Sequence, residues 1–199
     1  MKSYAIMRMR TECRVFYRLL VGESVVLLTT AAICGALWKA IDREASAVPL
    51  IMAGVLVALS VLLLGAYLVI SDPKWMLRHT CFGKTLSQYG ESKALMAEIE
   101  RDAEKMDYEC SGFALMRRWM VIYQCAPPST FGAAQIRSFP IPKANIRRIS
   151  WEKQSDEENA GFIVYVSAVD GTEYSVFIWE QADIRAIQAW SAVQETQTI

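Results

Sequence analysis

Histidine is almost missing from this 199-residue chain, with His79 the only one. The chain also has no C-x-x-C pair and no Cys/His cluster, so a zinc site finds no ligand set. A cysteine nucleophile needs a neighbouring base, and one histidine beside Leu77, Arg78 and Thr80 is a poor candidate for it. No G-x-S-x-G elbow, H-E-x-x-H or dinucleotide glycine fingerprint occurs. Gly83-Lys84-Thr85 resembles the end of a phosphate loop, but the first glycine of that motif would fall on Arg78. These absences lead to the expectation of a non-catalytic protein with no cofactor and no metal.

An excess of charge is lacking too. The chain holds 21 Lys/Arg against 21 Asp/Glu, and the seven and four of these in residues 1–71 leave a mildly acidic remainder. Nucleic acid is therefore not an expected partner. Charge is wholly absent from Ala45 to Ser71, a run of 27 residues.

That run identifies the chain's environment. A hydrocarbon core about 30 Å thick takes roughly 20 apolar residues of helix. Val48 to Ile70 meets this requirement, and Leu19 to Trp38 precedes it across a short polar link. Within lipid every backbone group must be bonded inside its own segment, so both runs are expected as helices. The A-x-A pattern at Ala45-Ser46-Ala47 suits a signal cleavage site, but a signal's apolar region is only about 7–15 residues long. The expectation is thus a two-span hairpin that stays in the cell membrane.

Lys2, Arg8, Arg10, Arg14 and Arg18 precede the first span, and Lys74, Arg78 and Lys84 follow the second. The link between the spans has Lys39 and Arg43, beside Asp42 and Glu44. Basic residues favour the cytoplasmic side, so both termini are expected there. Free thiols follow for the five widely spaced cysteines. Small residues recur four apart at Ala31/Gly35, Ala32/Ala36 and Gly54/Ala58, which allows close helix approach within the hairpin or in a homo-oligomer. Glu23 is the one acid within a span, either an intramembrane polar site or a side chain reaching the interface.

After the spans, Pro73 disfavours helix at Asp72. Glu91 to Met106 has Leu95, Ile99, Ala103 and Met106 at helical spacing, with Glu98, Arg101, Asp102 and Lys105 expected on a solvated face. Strand-like stretches follow: Phe113–Tyr123 interrupted by Arg117-Arg118, Ile136–Phe139, and Ile146–Trp151 after Pro140-Ile141-Pro142. A turn is expected at Pro127-Pro128 and Phe131-Gly132, and a polar acidic loop over Glu152–Asn159. Asp170-Gly171 between Phe162–Val169 and Thr172–Trp179 is a hairpin signal. A helix from about Gln181 to Val193 closes the chain, with Ile184, Ile187, Trp190 and Val193 on one stripe. The expected organisation is a basic N-terminus (1–18), a transmembrane hairpin (19–71), a connector with an amphipathic helix (72–107), and an α+β domain (108–199).

Arg118–Tyr123, the segment Phe139-Pro140-Ile141-Pro142 through Ile149, the hairpin Val169–Tyr174 and the final helix carry a resemblance. This order resembles the bacterial pleckstrin-homology-like domains attached to paired membrane helices, over about residues 108–193. The resemblance implies a bent antiparallel sheet capped by a C-terminal helix, serving as a scaffold rather than a catalyst. On that reading Arg117, Arg118, Lys143, Arg147 and Arg148 would form a basic rim for anionic lipid or a partner protein. The alternative makes them surface charges balanced by Glu152, Asp156, Glu157 and Glu158. The functional expectation is a membrane-anchored adaptor whose cytoplasmic domain binds a partner protein or the inner leaflet. Its alternative is a small oligomeric pore or transporter subunit built from the hairpin.

Overall fold

The structure, a computed structural model, describes residues 3–40, 47–126, 135–156 and 159–192. The expected turn at Pro127–Gly132, the acids Glu157 and Glu158, the link residues 41–46, Lys2 and Val193 lie outside the described residues. The chain divides into two compact units, one of residues 13–76 and one joining residues 1–12 to residues 77–199.

The first unit is a pair of long helices, α2 (Arg14–Ala40) and α3 (Val48–Ile70). On α3 the covered residues are Ala53, Leu56, Ser60, Leu63 and Tyr67, spaced three and four apart. On α2, Leu20, Ser24, Leu27, Ala31 and Cys34 are covered with the same spacing. This alternation keeps one narrow seam facing its partner, as in a two-stranded coiled coil. At its centre Ser60 Oγ donates to the Ser24 carbonyl (3.1 Å), and near one end Tyr17 packs edge-on to Tyr67 with ring centroids 5.3 Å apart. Off the seam the surface is mostly apolar and uncovered, including Val26, Ile33, Ile51, Leu62 and Leu68. Both helices are long and apolar enough to cross a membrane, and only 11% and 6% of their most apolar windows are buried. A soluble core helix would be mostly covered.

Beyond α3, Asp72 Oδ1 accepts the Lys74 N–H (2.8 Å), starting the short helix α4 (Pro73–His79). Pro73 thus stands at a first helical position, where its missing N–H costs nothing.

The second unit is built on two antiparallel sheets. Strands β1 (Tyr108–Glu109), β2 (Phe113–Leu115), β3 (Trp119–Ala126) and β4 (Gln135–Pro142) pair in that order. Strands β5 (Ile146–Asp156), β6 (Asn159–Ala168) and β7 (Glu173–Ile178) form the other sheet, and helix α7 (Gln181–Ala192) follows. The core collects Phe113, Leu115, Met120, Ile122 and Ile141 from the first sheet, Val164, Val166, Tyr174, Val176 and Ile178 from the second, and Ile184, Ile187 and Trp190 from α7. Trp190 is fixed by its indole N–H, which donates to the Met116 carbonyl (2.7 Å).

The other face of β3 is buried as well. Trp119, Val121 and Tyr123 alternate with the core residues and are buried on the helix side. There Tyr4 of α1 (Tyr4–Glu12) meets Tyr123 and Glu98 of α6 (Ser92–Ala103) accepts the Trp119 indole N–H, while α1 and α5 (Cys81–Gln88) pack on neighbouring β4. A strand covered on both faces reads as a continuous apolar run, which is why Trp119–Tyr123 carries no polar alternation. Two glutamates hold α1 in place. Glu100 of α6 accepts the N–H groups of Tyr4 (2.7 Å) and Ala5 (2.8 Å) and the Ser3 hydroxyl, capping the start of α1. Glu12, at the end of α1, accepts the N–H groups of Cys81 (2.7 Å) and Phe82 (3.1 Å) at the start of α5, and of Ser138 (2.9 Å) on β4.

Three expectations change. The acidic loop expected over Glu152–Asn159 is mostly strand, because β5 runs on to Asp156 and pairs there with the start of β6, from Glu152 opposite Ile163 to Asp156 opposite Asn159. Asp102 is buried rather than solvated, because its carboxylate accepts the Arg118 N–H (3.0 Å) at the β2–β3 turn. Strand β4 runs on through Pro140 and Pro142 rather than ending at Phe139. Lys143 N–H donates to the Arg118 carbonyl (2.8 Å), so residues 118/143, 120/141 and 122/139 form the hydrogen-bonded pairs of the β3–β4 ladder. Both prolines fall between those pairs on an edge strand, where no ladder bond asks for their N–H.

Candidate functional site

An open sheet edge invites another strand, and folded proteins generally block theirs. Three edges of this unit are blocked. Strand β1 is two residues long. On β4, Pro140 and Pro142 have no N–H to offer, and the outward Ser138 N–H is taken by Glu12. Strand β5 begins at a register shift between Ile146 and Arg148, carries exposed Arg147 and Arg148, and sets exposed Lys153 on the core side opposite Phe162.

Strand β7 is different. The Ala168 N–H bonds the Thr172 carbonyl (2.8 Å), so 166/174, 164/176 and 162/178 are the hydrogen-bonded pairs of the β6–β7 ladder. The backbone groups of Glu173, Ser175 and Phe177 therefore point away from β6. Only the Ser175 carbonyl has a described partner, the Gln124 side-chain amide at 2.8 Å.

The facing wall is the far end of β3. The Tyr123 N–H bonds the Gly112 carbonyl (2.8 Å), so the backbone of Cys125, two residues on, points the same way. Strand β2 would meet it there if it extended backwards, but Ser111-Gly112 form the turn from β1, and the Cys110 N–H just after β1 bonds the Phe113 carbonyl instead. Gly112 makes that turn fit: a Cβ on it would stand 2.9 Å from the methyls of Val176 and Ile178. Two unpaired strand edges thus border one groove of about 520 Å³, with Gly112 and Gln124–Cys125 on one side, Ser175–Phe177 on the other, and Trp179 at one end. None of its lining residues is charged. Trp179 is 58% exposed and stands edge-on to Phe177, centroids 4.6 Å apart.

Helix α1 backs one wall. The Tyr4 hydroxyl lies 2.6 Å from that of Tyr123, which donates to Glu109 (2.9 Å), while the Arg8 guanidinium pairs with Glu109 and sits 4.1 Å from the Tyr123 ring centre. Burial pushes the Tyr123 phenol far above its usual range, so it stays protonated as a donor. Burial also raises the Glu12 carboxyl, outweighing its three N–H donors and the charge of Arg137. Tyr108 donates to Asp183 (2.6 Å), which together with burial raises its phenol to about 12 and ties β1 to the start of α7.

Of the five basic residues, the four arginines are exposed and Lys143 is half-buried. Arg117 and Arg118 are exposed at the β2–β3 turn, where Arg118 pairs with Glu98 (3.2 Å) and Asp102 (3.8 Å). The Lys143 backbone adjoins Arg118, but its ammonium turns away to the Trp190 carbonyl and lies 4.3 Å from that indole's centre. Burial lowers the Lys143 ammonium below its usual range. Arg147 and Arg148 remain exposed, without an ion pair to any described residue.

In the helical unit, Glu23 lies on the exposed side of α2, off the seam. Ala31 is in the seam, whereas Ala32, Ala36, Gly54 and Ala58 are on the outer faces. Among the described residues, no three of His, Cys, Asp and Glu gather as metal ligands, and the cysteines are free. No individual residue type marks the β7 groove, so the sequence reading missed it; it follows from strand register. No family model, curated protein or solved structure matches this chain.

Proposed function

We propose that the chain is a membrane-anchored, non-catalytic docking module whose sheet unit accepts an extended segment of a partner protein beside β7. The observation that carries this reading is the neutral groove bordered by unpaired backbone of β7 and of Cys125. Main-chain bonds to a sheet edge supply affinity, and pockets for alternate side chains supply selectivity. Gln124 already places an amide N–H against the Ser175 carbonyl, where an incoming strand would bring its own.

The bilayer is the anchor's partner, entered through α2 and α3. Helix α1 precedes these helices and packs into the same unit as residues 77–199. This supports both termini lying on one side, and the basic flanks favour the cytoplasm. The two antiparallel sheets closed by α7 support the pleckstrin-homology-like reading of residues 108–193. A pore would need Glu23 at a polar centre, and in the single chain it lies on the exposed side of α2.

The test replaces Trp179 in the full chain with a photo-crosslinking phenylalanine analogue, in native membranes. A partner adduct that disappears with Ser175→Pro supports the reading. An adduct indifferent to that change, or digestion of the sheet unit by protease outside sealed cells, overturns it.

A further inference from the structure

Counted from Leu19, Glu23 lies one turn inside the first apolar run, but the pairing of α2 with α3 places it deeper. The carbonyl of its neighbour Ser24 accepts the Ser60 hydroxyl, while Tyr17 reaches the Tyr67 ring and donates to the Ile70 carbonyl (3.2 Å). This register sets Glu23 level with Ser60-Val61. At 1.5 Å per residue, Ser60 is about 15 Å from Ile70 and about 18 Å from Val48, the two ends of the uncharged helix α3. A hydrocarbon core is about 30 Å thick, so once α3 crosses one, Glu23 is level with its middle. A helical side chain covers only about one turn, which leaves the carboxylate far short of either surface.

Among the described residues nothing meets it there. Glu23 is exposed and has no ion pair or hydrogen bond with any of them. Its face of α2 continues through exposed Phe16, Val26 and Thr30, and the Thr30 hydroxyl is turned back onto the Val26 carbonyl (2.8 Å). A Cβ on adjacent Gly22 would find nothing within 4 Å, so another helix can approach closely. An ionisable side chain at this depth is costly in lipid and is met by a partner almost wherever one occurs.

A second copy of this chain does not supply that partner. No Lys or Arg occurs from Leu19 to Trp38 or from Val48 to Ile70. The nearest base on α2, Arg18, is about 7.5 Å closer to the helix start, and its side chain leans further that way. Two copies inserted in the same sense would bring carboxylate to carboxylate.

We infer that the Glu23 face of α2 receives a membrane-spanning helix of a different protein, with Lys or Arg near the middle of its span. This rests on α2 and α3 crossing a bilayer and is independent of the groove beside β7.

The test places a photo-crosslinking phenylalanine analogue at Val26 of the full-length protein, in native membranes. The expected adduct is with a membrane protein whose apolar span holds a central Lys or Arg. Glu23→Leu and Glu23→Lys should each lower its yield at least about tenfold, and exchanging the partner's central base for Glu should restore the yield with Glu23→Lys. Disulfide trapping along the seam, unaffected by either change because Glu23 lies off it, separates this loss from misfolding. No adduct, an adduct only with a second copy, a partner without a central base, or a yield indifferent to Glu23→Leu overturns the inference and leaves the spans standing. Release of the protein from membranes by alkaline carbonate overturns both.

Discussion

Glu12→Ala tests how helix α1 is held. One carboxylate there serves three donors, and the bonds from Phe82 and Ser138 are buried while that from Cys81 is partly exposed. Orphaning a buried N–H costs about 1–3 kcal/mol. Two such donors give about 2–6 kcal/mol, and the start of α5 loses an anion that its dipole favours. Removing the buried carboxylate returns part of this, since burial already raises its pKa. A net loss of about 2–4 kcal/mol remains, large beside a typical stability of 5–15 kcal/mol. Amide hydrogen exchange over Tyr4–Glu12 in the full-length protein reads this directly. A tenfold change per 1.4 kcal/mol makes the expected acceleration roughly 30- to 700-fold. The pH dependence carries a sign. A carboxyl raised above its ordinary 4.5 contributes stability in full below that value and loses it as pH rises through the folded-state value. The gap between wild type and Glu12→Ala should therefore be wider at pH 5 than at pH 7.5. Unchanged protection of α1 would refute its docking through Glu12. A gap that widens with pH would show that the three N–H donors outweigh burial.

Gly83→Ala should be among the most damaging small substitutions, because its Cβ would stand 2.2 Å from the Leu77 carbonyl oxygen and 2.5 Å from the Leu77 Cα. Backbone cannot step aside as a side chain does, so a loss at or above about 3 kcal/mol, the upper end for overpacking, is expected in thermal unfolding. Ser60→Ala removes one interhelical hydrogen bond and should cost only about 0.6 kcal/mol, whereas Ser60→Leu should force α2 and α3 apart. Disulfide trapping between cysteines introduced at seam positions distinguishes the two. Lys143→Met should be tolerated at neutral pH, because burial already disfavours the ammonium there. For a base whose folded pKa is lowered, stability rises with pH up to the ordinary 10.5, so wild type should gain on the methionine variant as pH climbs. Denaturant titrations at pH 7 and pH 10 measure that gain.

The elements with local signals were legible in the sequence. The apolar run ending at Ile70 is α3 from Val48 onward, and Asp170-Gly171 does turn β6 into β7, with Gly171 at φ 85°. The stripe Ile184, Ile187 and Trp190 faces the core from α7. What stayed hidden depends on partners distant in sequence. Tyr4–Glu12 is only nine residues long and broken by Arg8, Arg10 and Thr11, too short a window for periodicity to announce a helix; its anchors are Glu100, Cys81 and Ser138. Asp102 sits on an apparently solvated face until the β2–β3 turn brings it the Arg118 N–H. Pro140 and Pro142 read as breakers because periodicity says nothing of which residues in a ladder are hydrogen-bonded. The groove was illegible for the same reason: Ser175 and Cys125 matter there through their backbone, whose direction follows from pairing and not from residue type.

The placement of α1 also orders events during synthesis. Tyr4 emerges from the ribosome 119 residues before Tyr123, and Glu12 precedes Ser138 by 126. At about 5–20 residues per second that is a wait of roughly 6–25 s, during which α2 and α3 have already been made. Both long helices are thus complete first, and the leading helix swings home only after translation has supplied its seat. A truncated gene starting at Leu77 would keep α5 and α6 but lose α1 and with it the cover of Tyr123, and adding residues 1–12 as a peptide in trans should restore its solubility.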